Sequence, residues 1–247
     1  MSVIKIGLCG ANGRMGRAIQ ALIKDKGDKF ILVATLSSEY TNSDLAEFCN
    51  DSDVIIDFSN ASILEKLTKA AILSKTNLMV GTTGLEDKHF TYLKELSKHV
   101  AVLYAANTSI GANLVAMLAA KSARILKGYD VEIIEAHHRH KKDAPSGTAL
   151  MIGQQIADAS GIDFKTNAVF DRANKGLRQV GEIGFSSIRG GGILGENEVI
   201  FADDNEVVTI GCRALSRLAF AEGALFATQW LSNKKFGLYS MQDVLQL

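Results

Sequence analysis

The sequence predicts an α/β protein of two domains, in which a doubly wound parallel sheet is followed by a smaller α+β domain with a mixed, mostly antiparallel sheet. Short apolar runs alternate with helical patterns over residues 3–105, which is typical of parallel strands joined by crossover helices. Over residues 182–213 three strand-like runs instead follow one another through short turns. A chain of 247 residues, 47% of them apolar, is long enough to bury the cores of two modest domains.

Composition excludes several classes of partner. Lys plus Arg and Asp plus Glu both number 27, so the zero net charge gives no general case for a nucleic acid or a membrane surface. The three cysteines are scattered and show no disulfide or metal spacing. No apolar run approaches the roughly 20 residues of a membrane span, and the N-terminus has no signal-peptide layout. We therefore expect a cytoplasmic protein.

The first domain begins with a strand, a glycine-rich turn and a helix. Strands are predicted at residues 3–9, 30–36, 53–58, 77–80 and 100–105, and helices at 17–26, 59–74 and 86–98. The first turn, at residues 10–16, reads Gly-Ala-Asn-Gly-Arg-Met-Gly. Spaced glycines there let the backbone turn tightly and approach a pyrophosphate, so the pattern predicts a Rossmann-type dinucleotide site. Arg14, a cation in a first helical turn, is a candidate phosphate contact.

Polar residues follow several of these strands. Turns at residues 10–16, 81–84 and 105–108 would share the carboxyl edge of a parallel sheet, which predicts a cofactor crevice rather than ordinary turns. The second strand ends in Ser37, Ser38 and Glu39. Ser37 would not repel a 2′-phosphate, while the acid that would bind an unphosphorylated ribose comes two or three positions late. Both NADH and NADPH remain open as the cofactor.

The second domain begins with a long helix at residues 109–127 and a strand at 129–136 that places Val131, Ile133 and Glu135 on one face. A helix is predicted at 146–160, a long loop at 164–181, and strands at 182–189, 196–202 and 206–213. An apolar helix at 215–231 and a short terminal helix complete the chain. We assign residues 1–108 plus 215–247 to the dinucleotide-binding domain and 109–214 to a substrate-binding and oligomerisation domain.

Six potentially cationic side chains stand in a row at residues 137–142, followed by the only proline, Pro145, and a helix start. A cationic loop that leads into a helix N-terminus favours an anion site, although a solvated basic loop is the alternative. A metal site is disfavoured, because the neighbouring Arg139, Lys141 and Lys142 would repel a cation and no carboxylate or thiolate completes a ligand set. No metal is expected.

The segment at residues 132–149, Glu-Ile-Ile-Glu-Ala-His-His-Arg-His-Lys-Lys-Asp-Ala-Pro-Ser-Gly-Thr-Ala, resembles the signature of the 4-hydroxy-tetrahydrodipicolinate reductases of bacterial lysine biosynthesis. The resemblance extends over the whole chain, including residues 57–59, 187–191 and the closing Gly-Leu-Tyr at 237–239. It implies a homotetrameric oxidoreductase of the diaminopimelate route, which transfers hydride from NADH or NADPH to a cyclic dicarboxylate after loss of water. The chain departs from the family pattern at Ser37 with Ser38, at Ala61 with Ser62, and at Asn197.

The resemblance also implies roles for individual residues. His137 and Lys141 would be catalytic proton donors, and His138, Ser146, Gly147 and Thr148 would bind the substrate. The predicted cofactor-binding residues, Ser37 included, are Gly10, Ala11, Asn12, Gly13, Arg14, Met15, Ser37, Gly81, Thr82, Thr83, Ala105, Ala106, Asn107 and Thr108.

Two other functions are compatible with such a fold. A dinucleotide-binding sensor would not turn over, and it would not need a proton-donor loop. A related reductase would act on another small anionic carbonyl or imine. Histidine suits the proton-donor role in either reductase, because its pKa lies near ~6.5.

Overall fold

A computed structural model describes residues 2–36 and 42–246 of the protein. The chain forms two compact units, one of residues 1–110 with 217–247 and the other of residues 111–216. Both breaks lie two residues beyond the predicted positions, 108 and 214. Within the described residues, no helix is both long and apolar enough to cross a membrane.

Parallel strands form the sheet of the first unit. They are β1 (Ile4–Cys9), β2 (Phe30–Leu36), β3 (Val54–Asp57), β4 (Asn77–Val80), β5 (Ala101–Tyr104) and a last strand, β11 (Gly237–Tyr239). Among the described residues the sheet has six strands in the order β11-β5-β4-β3-β1-β2, all parallel. The central strands are continuous apolar runs because both faces of the sheet are covered. The predicted doubly wound parallel sheet is confirmed.

Helices cover both faces of this sheet. They are α1 (Arg14–Asp25), α2 (Asn42–Asn50), α3 (Leu64–Ser74), α4 (Asp87–Leu96), α8 (Leu218–Leu231) and α9 (Met241–Leu245), with a 3₁₀ turn at Ala61–Ile63. Side chains of α1, α8 and α9 pack in one apolar core, and those of α2, α3 and α4 pack in a second core. The two cores lie on opposite faces of the sheet, so neither of them occupies its carboxyl edge.

Three elements of the first unit differ from the sequence prediction. Helix α1 begins at Arg14, three residues before the predicted start at 17, because glycine at position 16 lets the first turn lie on the preceding loop. A Cβ atom on Gly16 would lie 2.2 Å from the carbonyl oxygen of Gly10. The sequence reading assigned neither α2 nor the edge strand β11, which pairs with β5.

The second unit has a sheet covered on one face by helices. Its strands are β6 (Asp130–His137), β7 (Ala168–Val169), β8 (Ile183–Arg189), β9 (Glu196–Ala202) and β10 (Val207–Arg213), in the order β10-β9-β6-β8-β7. Its helices are α5 (Ile110–Ile125), α6 (Gly147–Ser160) and α7 (Phe164–Asn167). Apolar side chains of α5 and α6 pack against β6, β8 and β9 to form the core of this unit.

The second sheet is mixed, as predicted, but antiparallel pairs are not the majority among its described strands. β9 pairs antiparallel with β6 and β10, while β8 pairs parallel with β6 and β7. The reason is that α6 acts as a crossover between β6 and β8, which returns the chain in the same direction. This pairing places the ends of β6 and β8 side by side, with His137 opposite Arg189.

The predicted loop at residues 164–181 is wrong in its first part, which forms α7 and the short strand β7. Two arginines in the remainder hold it against β6 and β8. Arg172 contacts Glu182 at 2.6 Å, and Arg178 forms an ion pair with Glu132 and donates to the carbonyl oxygen of Val131 at 3.0 Å. Glu132 is therefore an arginine-paired carboxylate on the same strand as His137.

Candidate active site

The glycine-rich turn after β1 is shaped by its own backbone. Gly10 has a φ of +77°, and a Cβ there would lie 2.2 Å from the carbonyl oxygen of Phe58. The first hydrogen bond of α1 runs from the N–H of Arg17 to the carbonyl oxygen of Gly13. The N–H groups of the residues just before Arg17 therefore have no acceptor within the helix. The first helical turn contains arginines and neither Asp nor Glu. This helix end therefore suits a phosphate group, with Arg14 exposed beside it.

A buried carboxylate joins the ends of β3 and β4. Asp57 is completely buried, and it accepts hydrogen bonds from the backbone N–H of Ser59 at 3.0 Å and from the Thr82 hydroxyl at 2.8 Å. The Ser59 hydroxyl also donates to it. Burial raises the pKa of Asp57, although the hydrogen bonds from Ser59 and Thr82 oppose that shift. Thr82, predicted to contact the cofactor, is thus buried and holds the turn.

The other predicted cofactor residues divide into exposed and buried groups. In the turn after β5, Asn107 accepts from the N–H of Ser109 at 2.8 Å, and the hydroxyl of Thr108 donates to the oxygen of Phe220 in α8 at 2.6 Å. Ser37 lies outside the described residues. The exposed residues are Asn12, Gly13, Arg14, Thr83 and Ala106, the buried ones are Ala11, Gly81, Thr82, Ala105 and Thr108, and Gly10, Met15 and Asn107 are intermediate.

In the second unit, His137 stands at the end of β6 beside a buried acid. Its Nδ1 atom lies 2.6 Å from Oε2 of Glu135, two residues earlier on the same strand face. The pKa of His137 lies below its usual value, chiefly because the ring is buried; Glu135 opposes this shift, while Lys141 and Arg189 add to it. On the other side of the ring, a Cβ on Gly195 would lie 3.3 Å from Nε2, so glycine leaves space next to that nitrogen.

Arg189, at the end of β8, holds Glu135 with both arms of its guanidinium group. Nη1 lies 2.9 Å from Oε2, and Nη2 lies 2.6 Å from Oε1. Burial would raise the pKa of Glu135, but hydrogen bonds from Arg189, Ser187 and His137 together hold it below its usual value. Glu135 is therefore an ionised group at neutral pH, in contact with both an arginine and a histidine.

The loop after His137 is tied to this cluster. Nη2 of Arg189 donates to the carbonyl oxygen of Asp143 at 2.6 Å, and Lys141 pairs with the Asp143 carboxylate at 2.9 Å. The ammonium group of Lys141 holds the pKa of Asp143 below its usual range. The three remaining cations at the tip, Arg139, His140 and Lys142, are exposed. That exposure agrees with a solvated positive rim at these positions.

The loop leads through a cis Ala144–Pro145 bond to the N-terminus of α6. The hydroxyl of Ser146 caps the helix by accepting from the N–H of Ala149 at 3.2 Å. Gly147 is exposed, and a Cβ there would meet no atom within 4 Å among the described residues. The Nδ1 atom of His138 is buried without a hydrogen-bond partner in the described part of the chain. Polar groups suited to an anion thus flank the loop at both ends.

Family models match nearly the whole chain. One for the N-terminus of dihydrodipicolinate reductase matches residues 4–108, and one for its C-terminus matches residues 111–245. The chain belongs to the dihydrodipicolinate reductase family. Membership makes it a nicotinamide-dependent oxidoreductase, also named 4-hydroxy-tetrahydrodipicolinate reductase, and confirms the family that the sequence resembled.

Two relatives agree with this assignment, and a solved structure has a similar fold. The 4-hydroxy-tetrahydrodipicolinate reductase of Rickettsia canadensis is 46% identical over 99% of this chain and 100% of its own length. That of Zymomonas mobilis is 41% identical over 100% of this chain and 98% of its own. The fold is similar to that of the dihydrodipicolinate reductase from Paenisporosarcina, with a TM-score of 0.80, 22% identity, and coverage of 98% and 99% of the two chains.

Sequence reasoning missed two residues of the candidate site, Glu135 and Arg189. The strand pattern puts Glu135 on the same face as Val131 and Ile133, and an acid on an apolar face two residues before a histidine is a signal for their contact. Arg189 carried no such signal, because only the parallel pairing of β6 with β8 brings it opposite His137.

Proposed function

We propose that this protein reduces the cyclic imine dicarboxylate formed from 4-hydroxy-tetrahydrodipicolinate, with His137 as a proton donor and Lys141 as a second one. The product would be tetrahydrodipicolinate, in the diaminopimelate route to lysine. The observation that carries the proposal is the geometry of His137, whose Nδ1 is engaged by Glu135 while Nε2 faces the space beside Gly195. An imidazole fixed at one nitrogen presents the other for proton transfer.

The cofactor is a nicotinamide dinucleotide, which supplies the hydride when bound. The turn at Gly10 and Gly13 and the N-terminus of α1 would hold its pyrophosphate, because backbone N–H groups and the helix dipole favour an anion there. Arg14, exposed beside this turn, would add a positive charge for a phosphate of the cofactor, the 2′-phosphate of NADPH included. We propose that both NADH and NADPH are accepted, because Ser37, at the predicted ribose position, neither repels nor strongly attracts a 2′-phosphate.

Proton transfer completes the reduction. Hydride addition to one carbon of the conjugated imine leaves an electron pair in the ring, and that electron pair takes a proton. His137 in its imidazolium form would give the proton from Nε2, and the resulting neutral ring would keep its Nδ1–H on Glu135. Lys141, largely buried and 2.9 Å from Asp143, would supply a second acidic hydrogen close by.

The substrate carries two carboxylates, and the loop after β6 has groups suited to bind them. Gly147 and Thr148 open α6, where backbone N–H groups and the helix dipole favour an anion. The Ser146 hydroxyl, which accepts from Ala149, retains its own hydrogen to donate. His138 would use its buried Nδ1 for the same ligand. The exposed cations of the loop would raise the local concentration of a dianion.

We also propose that the protein assembles as a homotetramer through its second unit. Ile188 and Val207, apolar side chains on strands of its sheet, are 50% and 62% exposed. Covering such side chains with another copy would remove apolar surface from water. Light scattering during size-exclusion chromatography should give four times the 26.6 kDa mass of one chain. A monomer mass would contradict this part of the proposal.

Cofactor oxidation tests the proposed reaction. Purified protein with freshly generated substrate should consume NADH or NADPH, followed by the near-ultraviolet absorbance of the reduced nicotinamide. Dipicolinate, the compound bound in the Paenisporosarcina structure, should compete with the substrate. If the protein binds the cofactor but leaves it reduced, it is a sensor. If dipicolinate does not inhibit at millimolar concentration, the substrate is a different anion.

Two substitutions test the proton donors. His137→Gln and Lys141→Cys should each lower kcat by roughly 10²–10⁴-fold, the usual contribution of a general acid, and should leave cofactor affinity almost unchanged. His140→Gln is the matched control, since His140 is an exposed histidine of the same loop. Weaker NADH binding with a normal kcat would remove His137 from the proton-donor role.

A further inference from the structure

The second unit contains a chain of three contacting side chains, Arg189, Glu135 and His137. We propose that Glu135 is a positioning residue that fixes the tautomer and orientation of His137, and that Arg189 holds Glu135 in place for this purpose. The inference rests on the proposed function, because it concerns how His137 acts as a proton donor. It adds to that function two residues that act through His137.

Glu135, His137 and Arg189 are held together by burial and by strand pairing. The side chain of Glu135 is 0% exposed and that of His137 is 13% exposed, so water does not compete for their contact at 2.6 Å. The Glu135 carboxylate is itself clamped by the two arms of Arg189. Residues 135 and 137 share one face of β6, and residue 189 lies opposite residue 137 in the parallel ladder. Backbone pairing therefore fixes all three side chains.

Hydrogen bonding within the cluster determines which nitrogen of His137 carries a hydrogen. An ionised carboxylate only accepts, so Nδ1 of His137 carries a hydrogen and donates it to Oε2 of Glu135. This leaves Nε2 as the nitrogen that gains and loses a proton. A buried imidazole without Glu135 could carry its hydrogen on either nitrogen, and one of these tautomers would turn the wrong nitrogen to the ligand.

The charges around His137 also suit a positioning role for Glu135. Three charged groups act on His137: Glu135 on its own strand, Arg189 from β8 and Lys141 from the following loop. Glu135 favours the imidazolium form, while burial and the two cations oppose it. Arg189 compensates the buried charge of Glu135, which would otherwise be costly, and leaves Oε2 shared between the arginine and the histidine. The carboxylate can therefore orient the ring without trapping its proton.

Glu132 shows what a purely structural arginine-paired carboxylate on the same strand looks like. Glu132, also on β6, forms ion pairs with Arg172 and Arg178 and has no contact with His137 among the described interactions. If Glu135 only stabilised the sheet through its arginine, removing either carboxylate should have similar consequences. If Glu135 positions His137, only its removal should alter the histidine.

The test compares Glu135→Gln with Glu132→Gln in the full-length protein. Titration of each histidine is measured by deuterium exchange at the imidazole C2 position, resolved by mass spectrometry of fragment ions across pH. Glu135→Gln should move the His137 midpoint to lower pH, because the carboxylate that favours imidazolium is gone, and Glu132→Gln should leave it unmoved. Kinetically, Glu135→Gln should lower kcat on the order of 10–100-fold with KM for the cofactor unchanged, less than loss of the acid itself.

Two further variants keep the test decisive if Glu135→Gln fails to fold. Glu135→Asp keeps the charge opposite Arg189 but withdraws it by one methylene from Nδ1, so it should reproduce the lower His137 midpoint and a smaller loss of kcat. Arg189→Lys keeps a cation but loses the two-armed contact, and it should also lower kcat. An unmoved His137 midpoint in the Glu135 variants, or equal kinetic losses at Glu132 and Glu135, overturns the proposal.

The histidine titration also separates this proposal from the proposed function. If the wild-type protein fails to oxidise the cofactor with substrate, the reductase assignment fails. The effect of Glu135 on His137 is still measured in that case, because deuterium exchange needs no turnover. Conversely, an active enzyme whose His137 titrates identically in all variants keeps its function and loses the positioning role of Glu135.

Discussion

Replacing Asp57 by Asn tests whether this carboxylate holds the turns of the first unit by its hydrogen bonds or by its charge. The residue is completely buried, and its two oxygens accept from the Ser59 N–H, the Ser59 hydroxyl and the Thr82 hydroxyl. An Asn side chain has nearly the same shape as Asp, but it offers one acceptor oxygen in place of two. Its amide nitrogen would face the Thr82 oxygen, which can accept because the hydroxyl hydrogen can turn to the carbonyl oxygen of Asp57 at 3.4 Å.

The magnitude follows from these contacts. With Ala at position 57, the Ser59 N–H keeps the Thr82 oxygen at 3.0 Å, but the Ser59 hydroxyl loses its acceptor. Ser59 is exposed, so water can satisfy that hydroxyl, and the cost is the net value of the two hydroxyl bonds to the carboxylate, about 0.5–1.5 kcal/mol each. Asp57→Ala should therefore lower the free energy of unfolding by their sum, about 1–3 kcal/mol. Asp57→Asn keeps the Ser59 bonds and removes a charge whose burial is unfavourable, so it should stay within about 1 kcal/mol of wild type or above it.

The pH dependence has a definite sign. Because burial raises the pKa of Asp57 in the folded state, its contribution is fully present below the unfolded pKa of about 4 and is lost as pH rises through the folded value. Asn does not ionise and shows no such loss. The stability of Asp57→Asn relative to wild type should therefore increase between about pH 4 and neutral pH.

Urea unfolding followed by tryptophan fluorescence is the assay. Trp230 is the only tryptophan of the chain and lies in α8, where it packs against Tyr239 with ring centroids 5.0 Å apart, so its emission reports on the unit that contains Asp57. Unfolding curves are compared at several pH values for wild type, Asp57→Asn and Asp57→Ala. Equal destabilisation by Asn and Ala, independent of pH, would refute the reasoning, since it would make the negative charge itself the source of stability.

The remaining predictions concern catalysis and cofactor choice. A dianionic substrate should favour the imidazolium form of His137, so the alkaline fall of kcat should have a higher apparent pKa than that of kcat/KM; equal values would separate His137 from the substrate. Gly195→Ala should lower kcat by crowding Nε2 of His137 at 3.3 Å, while Gly192→Ala, whose Cβ meets nothing within 4 Å among the described residues, should not. Arg14→Ala should weaken NADPH more than NADH in binding titrations, and equal weakening would limit Arg14 to the shared pyrophosphate.

The parallel sheet was predictable from sequence because its central strands are short, mostly apolar runs separated by helical patterns. β3, β4 and β5 are buried on both faces, and such strands have apolar residues at successive positions instead of at every second one. By contrast, β11 is three residues long, and it becomes a strand only because β5 offers an unpaired edge more than a hundred residues earlier in the chain. The sequence of residues 237–239 alone does not indicate a partner strand so distant in the chain.

The candidate site was predictable to the extent that its chemistry is local. The cationic loop, the proline and the helix cap at Ser146 are contiguous, so their order in the sequence is their order in space. Arg189 is 52 residues after His137, and its contact with Glu135 depends on the parallel return of the chain through α6. A sequence reading that expected mostly antiparallel pairs had no reason to join β6 to β8 in that register.

The potentially cationic residues 137–142 differ in whether a carboxylate contacts them, and this difference suggests different roles. His137 and Lys141 each contact one carboxylate, that of Glu135 or Asp143, and both are largely withdrawn from water. A partner held at hydrogen-bond distance fixes the position from which each donor can reach a ligand. Arg139, His140 and Lys142 are exposed and can attract a dianion from a distance, an effect that salt would screen. Raising ionic strength should therefore weaken substrate capture, seen in kcat/KM, more than it lowers kcat.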